Sequence, residues 1–384
     1  MIVKHRKGRC GAPSHIRTRS PPTETLLPNP LKALADQTII ITGASSGIGL
    51  ATARRAAAAG ARVVLAARNA EALDEAVVGI RNKGGQAISI AVDVADAGAA
   101  DRIAERAIEE FGGFDTWVNN AATALYAKLE DVSPEEHRRV FDVGYFGLVQ
   151  GSMAAVRHLK GKGGALINVG SVLSNRAIPL QAPYAAMKAA VMQFTDALRM
   201  ELEKDDADIS VTLIKPAAID TPYPEHARNK LDRPARLPQP IYDVELAAKA
   251  ICFAAAHKRR TLYVGGGGLG IALLAPAVPR LADKGMELVG GEPLQTTTVP
   301  PGPGAADNLF EPRADGRTES NQLPFTRQTS LYLEAQLHPV ATAAIVGGLA
   351  ALAGGAFMLA TRREQRDIGT EEAERRIRAA GSTS

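Results

Sequence analysis

The feature that most constrains this chain is a regular alternation, between about residues 37 and 264, of short apolar runs with longer Ala- and Glu-rich stretches. The apolar runs are 38–41, 62–66, 87–92, 116–118, 165–169, 209–214 and 262–264. Between them lie 50–59, 70–82, 97–111, 135–159, 184–204 and 243–256, whose composition suits helices. Strands separated by helices cannot close as hairpins, so they pair in parallel through right-handed crossovers and bury both sheet faces. The predicted class is therefore α/β, a doubly wound parallel sheet of the Rossmann type. Ligands are expected at the carboxyl ends of its strands.

Composition bounds the rest. With 46% hydrophobic and 22% charged residues the chain can fill a core of that size. Its two cysteines, Cys10 and Cys252, are far apart and in no metal-ligand spacing, so neither a disulfide framework nor a metal site is expected. The basic balance comes from the first thirty residues. Lys4, Arg6, Lys7, Arg9, Arg17 and Arg19 there face only Glu24, and the remainder is nearly neutral. Residues 1–35 are read as a disordered basic arm without the apolar stretch of a secretory signal, and no nucleic-acid partner is expected. Residues 36–264 form the catalytic domain in this reading, and 265–337, rich in Gly and Pro, an irregular extension unable to build its own core.

The first strand leads into Thr42, Gly43, Ala44, Ser45, Ser46, Gly47, Ile48 and Gly49, followed by an Ala-rich helix. Glycines suit this position because the turn is tight and a pyrophosphate must approach bare backbone at the positive end of a helix. The end of the second strand reads Leu65, Ala66, Ala67, Arg68. It lacks the acid that would hold the ribose hydroxyls of NAD, and the planar fork of Arg68 suits a 2′-phosphate. NADP is therefore expected rather than NAD.

Tyr184 and Lys188 are four residues apart on a predicted helix, so they share one face. A cation beside a phenol favours the phenolate, which makes tyrosine usable as a general acid/base near neutral pH. Ser171 follows the 165–169 run and could hydrogen-bond a substrate oxygen.

With these residues the chain resembles the short-chain dehydrogenase/reductase family over roughly residues 36–264. The resemblance rests, in order, on the TGASSGIG loop, Asp93 and Val94, Asn119 to Ala121, Ser171, the Tyr184-to-Lys188 motif, and Pro216 through Thr221. It implies that Tyr184 is the catalytic acid/base, that Lys188 lowers its pKa while holding the nicotinamide ribose, and that Ser171 positions the carbonyl oxygen. It further implies that Asp93 contacts the adenine, that Asn119 packs near the cofactor, and that Ile219 and Thr221 bond the carboxamide. A homo-oligomer acting on a small alcohol or carbonyl compound is implied as well. Three positions depart from the family pattern. Ala122 and Ala217 replace glycines, and Gly144 stands where the family commonly has an asparagine that relays protons through water.

Residues 340–361 carry no charge in 22 positions, and Ala343, Gly347, Ala351 and Gly355 recur every fourth residue as in close-packed membrane helices. As one helix this stretch would measure about 33 Å, enough to cross a bilayer. The expectation is a cytoplasmic enzyme anchored through 338–362, with 363–384 as a charged tail. Arg362, Arg363 and Arg366 would place that tail in the cytoplasm. Enzyme and tail can then share one side only if 269–278 also enters the membrane or the last helix lies flat. The competing reading of 340–361 is a helix buried against the enzyme. For the whole chain, the rivals are a catalytically idle NADP-sensing regulator and a membrane scaffold. The membrane segment tilts the substrate expectation towards lipophilic alcohols.

Overall fold

The computed structural model describes residues 30–266, 270, 275, 277–300, 306–313, 316–355 and 358. The basic arm before residue 30, most of 269–278 and the tail 363–384 lie outside these residues.

All seven apolar runs form strands of one sheet. They are β1 (Thr38–Thr42), β2 (Arg62–Ala67), β3 (Gln86–Ala91), β4 (Thr116–Asn119), β5 (Gly164–Val169), β6 (Ile209–Pro216) and β7 (Thr261–Val264). Their order is β7-β6-β5-β4-β1-β2-β3, and every pairing is parallel. β1 and β6 are buried at every residue, which is why they read as unbroken apolar runs rather than alternating ones.

Helices α1 (Gly47–Ala58) and α2 (Ala70–Arg81) flank the first half of the sheet, with α3 (Ala99–Phe111). The predicted helix 135–159 is three pieces: α4 (Pro134–Phe141), a π-helical turn (Asp142–Phe146) and α5 (Gly147–Leu159). The turn carries Gly144, and π-helical insertions of this kind are frequent at functional sites. Then follow α6 (Ala182–Lys204) and α7 (Val244–Ala256). Two cores result, one on each sheet face. The first joins α1 and α7 through Ile39, Leu65, Ala247 and Ile251, and the second joins α3 and α5 through Ile40, Ile103, Trp117 and Leu166.

The extension is more ordered than its composition suggests. Helix α8 (Pro279–Val289) buries Ala282 and Met286, and α9 (Leu331–Leu337) buries Leu333 and Leu337 against the α1–α7 core. Thr326–Arg327 adds a parallel edge to Ile241–Tyr242, which pairs with Ala218–Ile219 just beyond β6. The enzyme's own sheet thus supplies the burial that the extension could not achieve alone.

The terminal apolar stretch corrects the reading of a helix packed on the enzyme. Its described part, α10 (Pro339–Gly355), is exposed everywhere except at Thr342 and Gly355, and Val340, Leu349 and Leu352 are among its most exposed residues. Among the described residues no single helix is long and apolar enough to cross a membrane, and α9 and α10 meet at a bend of 113°.

Candidate active site

A cleft of about 420 Å³ opens at the carboxyl ends of the strands, at the β1–β4 switch point. Its first wall is the β1–α1 turn. Gly43 and Gly47 have φ of +65° and +52°, and a Cβ on Gly43 would lie 2.8 Å from the Ala121 Cα. Gly43, Ser45, Ser46, Gly47 and Ile48 line the cleft. Ser46 is the N-cap of α1, yet its side chain makes no capping hydrogen bond, and the first N–H of the helix, that of Gly47, donates to the Arg317 carbonyl at 2.9 Å.

Three residues expected at the cofactor do not line the cleft but build the wall behind it. The Thr42 hydroxyl accepts from the N–H groups of Asn120 and Ala121, at 3.0 and 3.2 Å, and so fixes β1 to the loop after β4. Gly49 is a packing glycine, since a Cβ there would sit 2.2 Å from the Gly43 carbonyl oxygen. Asn119 is buried, donating from Nδ2 to Ser152 and Asn168 while its Oδ1 accepts from the Trp117 indole at 2.7 Å. Thr42 and Asn119 act through side-chain hydrogen bonds and Gly49 through close packing.

Arg68, Asp93 and Val94 line the far end of the cleft. Asp93 pairs with Arg139 and lies 3.8 Å from Arg68. Burial lowers the pKa of Arg68, opposed by the charge of Asp93. The Arg68 fork donates to the backbone carbonyls of Asn308 and Phe310, so this end of the cleft includes the extension.

At the other end stand Ser171, Tyr184 and Lys188. Ser171 caps the single turn Val172–Ser174, and its Oγ accepts from the Leu173 N–H at 3.0 Å. Tyr184 and Lys188 project from the first two turns of α6, with Lys188 Nζ 5.6 Å from the centre of the Tyr184 ring. Lys188 donates to the Val169 carbonyl at 2.6 Å. Burial raises the Tyr184 hydroxyl to about 12, partly offset by a hydrogen bond with Ser171. Burial also lowers Lys188 to about 7. The expected lowering of the tyrosine by the lysine is not found here: desolvation dominates both groups and disfavours both charged forms. Pro216, Ile219 and Thr221 complete this end of the cleft, beside Ala217.

Several lining residues had no signal in the sequence reading. Gln181 accepts from the Tyr223 hydroxyl at 3.1 Å and donates to Gln295 at 2.6 Å. The Tyr223 ring lies 5.4 Å from that of Tyr184. Met286 and Val289 of α8 face the cleft with Leu173, Ile178 and Leu237. Ala282, Met286 and Val289 share the helical spacing of one face of α8, a signal that could have marked the face but not what it covers.

The comparisons agree with this architecture. The short chain dehydrogenase family matches residues 37–232. The chain is 46% identical over 326 residues to the uncharacterized oxidoreductase YxnA of Bacillus subtilis (strain 168), covering 84% of this chain and 91% of that protein. Among solved structures, L-sorbose reductase from Gluconobacter frateurii complexed with NADPH and L-sorbose is 27% identical, with a TM-score of 0.53 over 63% of this chain and 98% of that one. The 3-ketoacyl-(acyl-carrier-protein) reductase from Brucella melitensis complexed with NADH is 28% identical, with a TM-score of 0.53 over 61% and 99%. A parallel seven-stranded sheet with a glycine turn at its switch point, a family match over residues 37–232 and a relative matched over 84% of this chain identify it as an oxidoreductase of the short-chain dehydrogenase/reductase family.

Proposed function

We propose that the protein interconverts an alcohol and a carbonyl compound by hydride transfer with NADP(H). The observation that carries this reading is that Ser171, Tyr184 and Lys188 line one end of the same cleft, with Lys188 one helical turn from Tyr184 and its Nζ 5.6 Å from the centre of that ring. The nicotinamide supplies or receives the hydride when bound. Tyr184, held near 12, keeps its proton at neutral pH and can give it to a carbonyl oxygen during reduction. Ser171 positions that oxygen, and Lys188 provides positive charge beside it. The bare-backbone turn at Gly43 and Gly47 fits a pyrophosphate, and Arg68 without an acid beside it at Ala67 fits a 2′-phosphate.

Leu173, Ile178, Leu237, Met286 and Val289 make the substrate end apolar, which favours a lipophilic alcohol or ketone, and Gln181 and His226 supply polar contacts. The exposed apolar face of α10 supports attachment of the enzyme to lipid. The test is NADPH oxidation over a panel of aldehydes, ketones and quinones. It is paired with Arg68→Ala, which should weaken NADPH by roughly 1.5–3 kcal/mol and leave NADH nearly unchanged. Equal losses for both cofactors would remove the NADP assignment.

A further inference from the structure

Residues 306–313, of which Asn308, Pro312 and Arg313 line the cleft, form with Arg317 a strap whose backbone carbonyls engage donors of the cofactor wall. Arg68 Nη1 donates to Phe310 O at 2.7 Å and Nη2 to Asn308 O at 2.5 Å. Asn69 Nδ2 donates to Arg313 O at 2.5 Å, and the Gly47 N–H to Arg317 O at 2.9 Å. Gly47 begins the helix that would face the pyrophosphate, and Arg68 is the residue assigned to the 2′-phosphate. A carbonyl oxygen and a phosphate oxygen are both acceptors, so they compete for the same hydrogens. A ribose hydroxyl is also a donor and can bond to those carbonyls where they stand.

We propose that this strap is an internal competitor for the cofactor's phosphates, displaced from Arg68 by NADP(H) and left in place there by NAD(H). The inference rests on the assignment of Arg68 to the 2′-phosphate. The strap has anchors besides Arg68, among them Arg139, which donates to the Leu309 carbonyl at 2.9 Å. Leu309, between the two competing carbonyls, is wholly buried against Leu125, Val140 and Met187. Arg317 pairs with Glu225 at 2.8 Å, and the Asn321 N–H donates to the same carboxylate at 2.6 Å. Loosening Leu309 therefore weakens the hold on Arg68 without altering the arginine. A strap in place about 90% of the time would weaken a competing ligand about tenfold.

Hydrogen exchange of the full chain tests this without any variant. The Asn308 N–H donates to His226 O at 2.8 Å, outside the strap, so the Asn308 amide reports strap closure. Saturating NADPH should make this amide exchange faster than NADH does. Unchanged or slower exchange with NADPH would overturn the proposal. In a second measurement, Leu309→Ala should tighten NADPH by about five- to tenfold and change NADH by less than about twofold in fluorescence titration. Equal changes for both cofactors, or weaker NADPH binding, would also overturn it. Failure of the folded wild-type chain to bind NADPH, with no exchange change anywhere in the cleft, would overturn the functional reading itself.

Discussion

Met187 fills the space beside Gly144. A Cβ built on Gly144 would lie 2.6 Å from the methionine's Sδ and Cε, and Met187 has no exposed surface. A larger side chain at 144 and the methionine beside Lys188 therefore compete for one volume. Lys188 itself donates to the Val169 carbonyl.

Gly144→Asn alone should destabilise the protein by about 1–3 kcal/mol through overpacking, more than the helix-propensity gain of up to about 1 kcal/mol from removing a glycine. Combining it with Met187→Ala should recover part of the loss, because the new side chain enters the volume the methionine leaves. Urea unfolding of the two single variants and the double variant measures the coupling. Additivity within about 0.5 kcal/mol would show that the residues do not share this space.

Tyr184→Phe keeps the ring that packs against Tyr223 and removes the proton donor. Turnover should fall about 10²- to 10⁴-fold, while NADPH affinity stays nearly constant. The check is steady-state kinetics beside a binding titration. Activity within about threefold of wild type would show that another group moves the proton.

Lys188 gives a pH dependence whose sign can be worked out. Its folded pKa, about 7, lies below the ordinary lysine value of 10.5, so between these values the unfolded chain binds more protons than the folded one. Stability contributed by this group therefore rises with pH from about 7 towards 10.5, and the full penalty remains below 7. Lys188→Met should be more stable than wild type at pH 7, on the order of a few kcal/mol, and the gap should shrink by pH 10. Unfolding curves at the two pH values measure it. A gap that is constant or widens would place the lysine in a more polar setting than its burial implies. In the reduction direction, activity should decline as pH rises through about 7 and the lysine loses its charge.

Removing α10 by ending the chain after His338 should leave the fold and activity intact, because the helix is exposed and Leu333 and Leu337 are retained. The full chain should bind anionic and neutral vesicles through a high-salt wash, and the shortened chain should not. Release of the full chain by salt alone would mean that charge rather than apolar area holds it. A lower unfolding midpoint after removal would show that α10 packs on the enzyme.

The sequence by itself determined the sheet, the glycine turn and the Ser171, Tyr184 and Lys188 set, because each has a local signature. Buried parallel strands are unbroken apolar runs, the turn needs glycines at positive φ, and a helix puts residues four apart on one face. The roles of Thr42, Gly49 and Asn119 as supports were not legible, since a side chain beside a ligand and one behind it can belong to the same motif. Only the tertiary structure decided that Met187 packs against Gly144, from 43 residues away along the chain. Only it decided that 306–313, a segment of turns with little local preference, lies along the cofactor cleft. That placement comes from contacts such as Leu309 in the core, and Arg68 on the Asn308 and Phe310 carbonyls some 240 positions away. Pairings of that span leave no periodicity or spacing in the chain, because their energy exists only once the sheet has brought the two segments together.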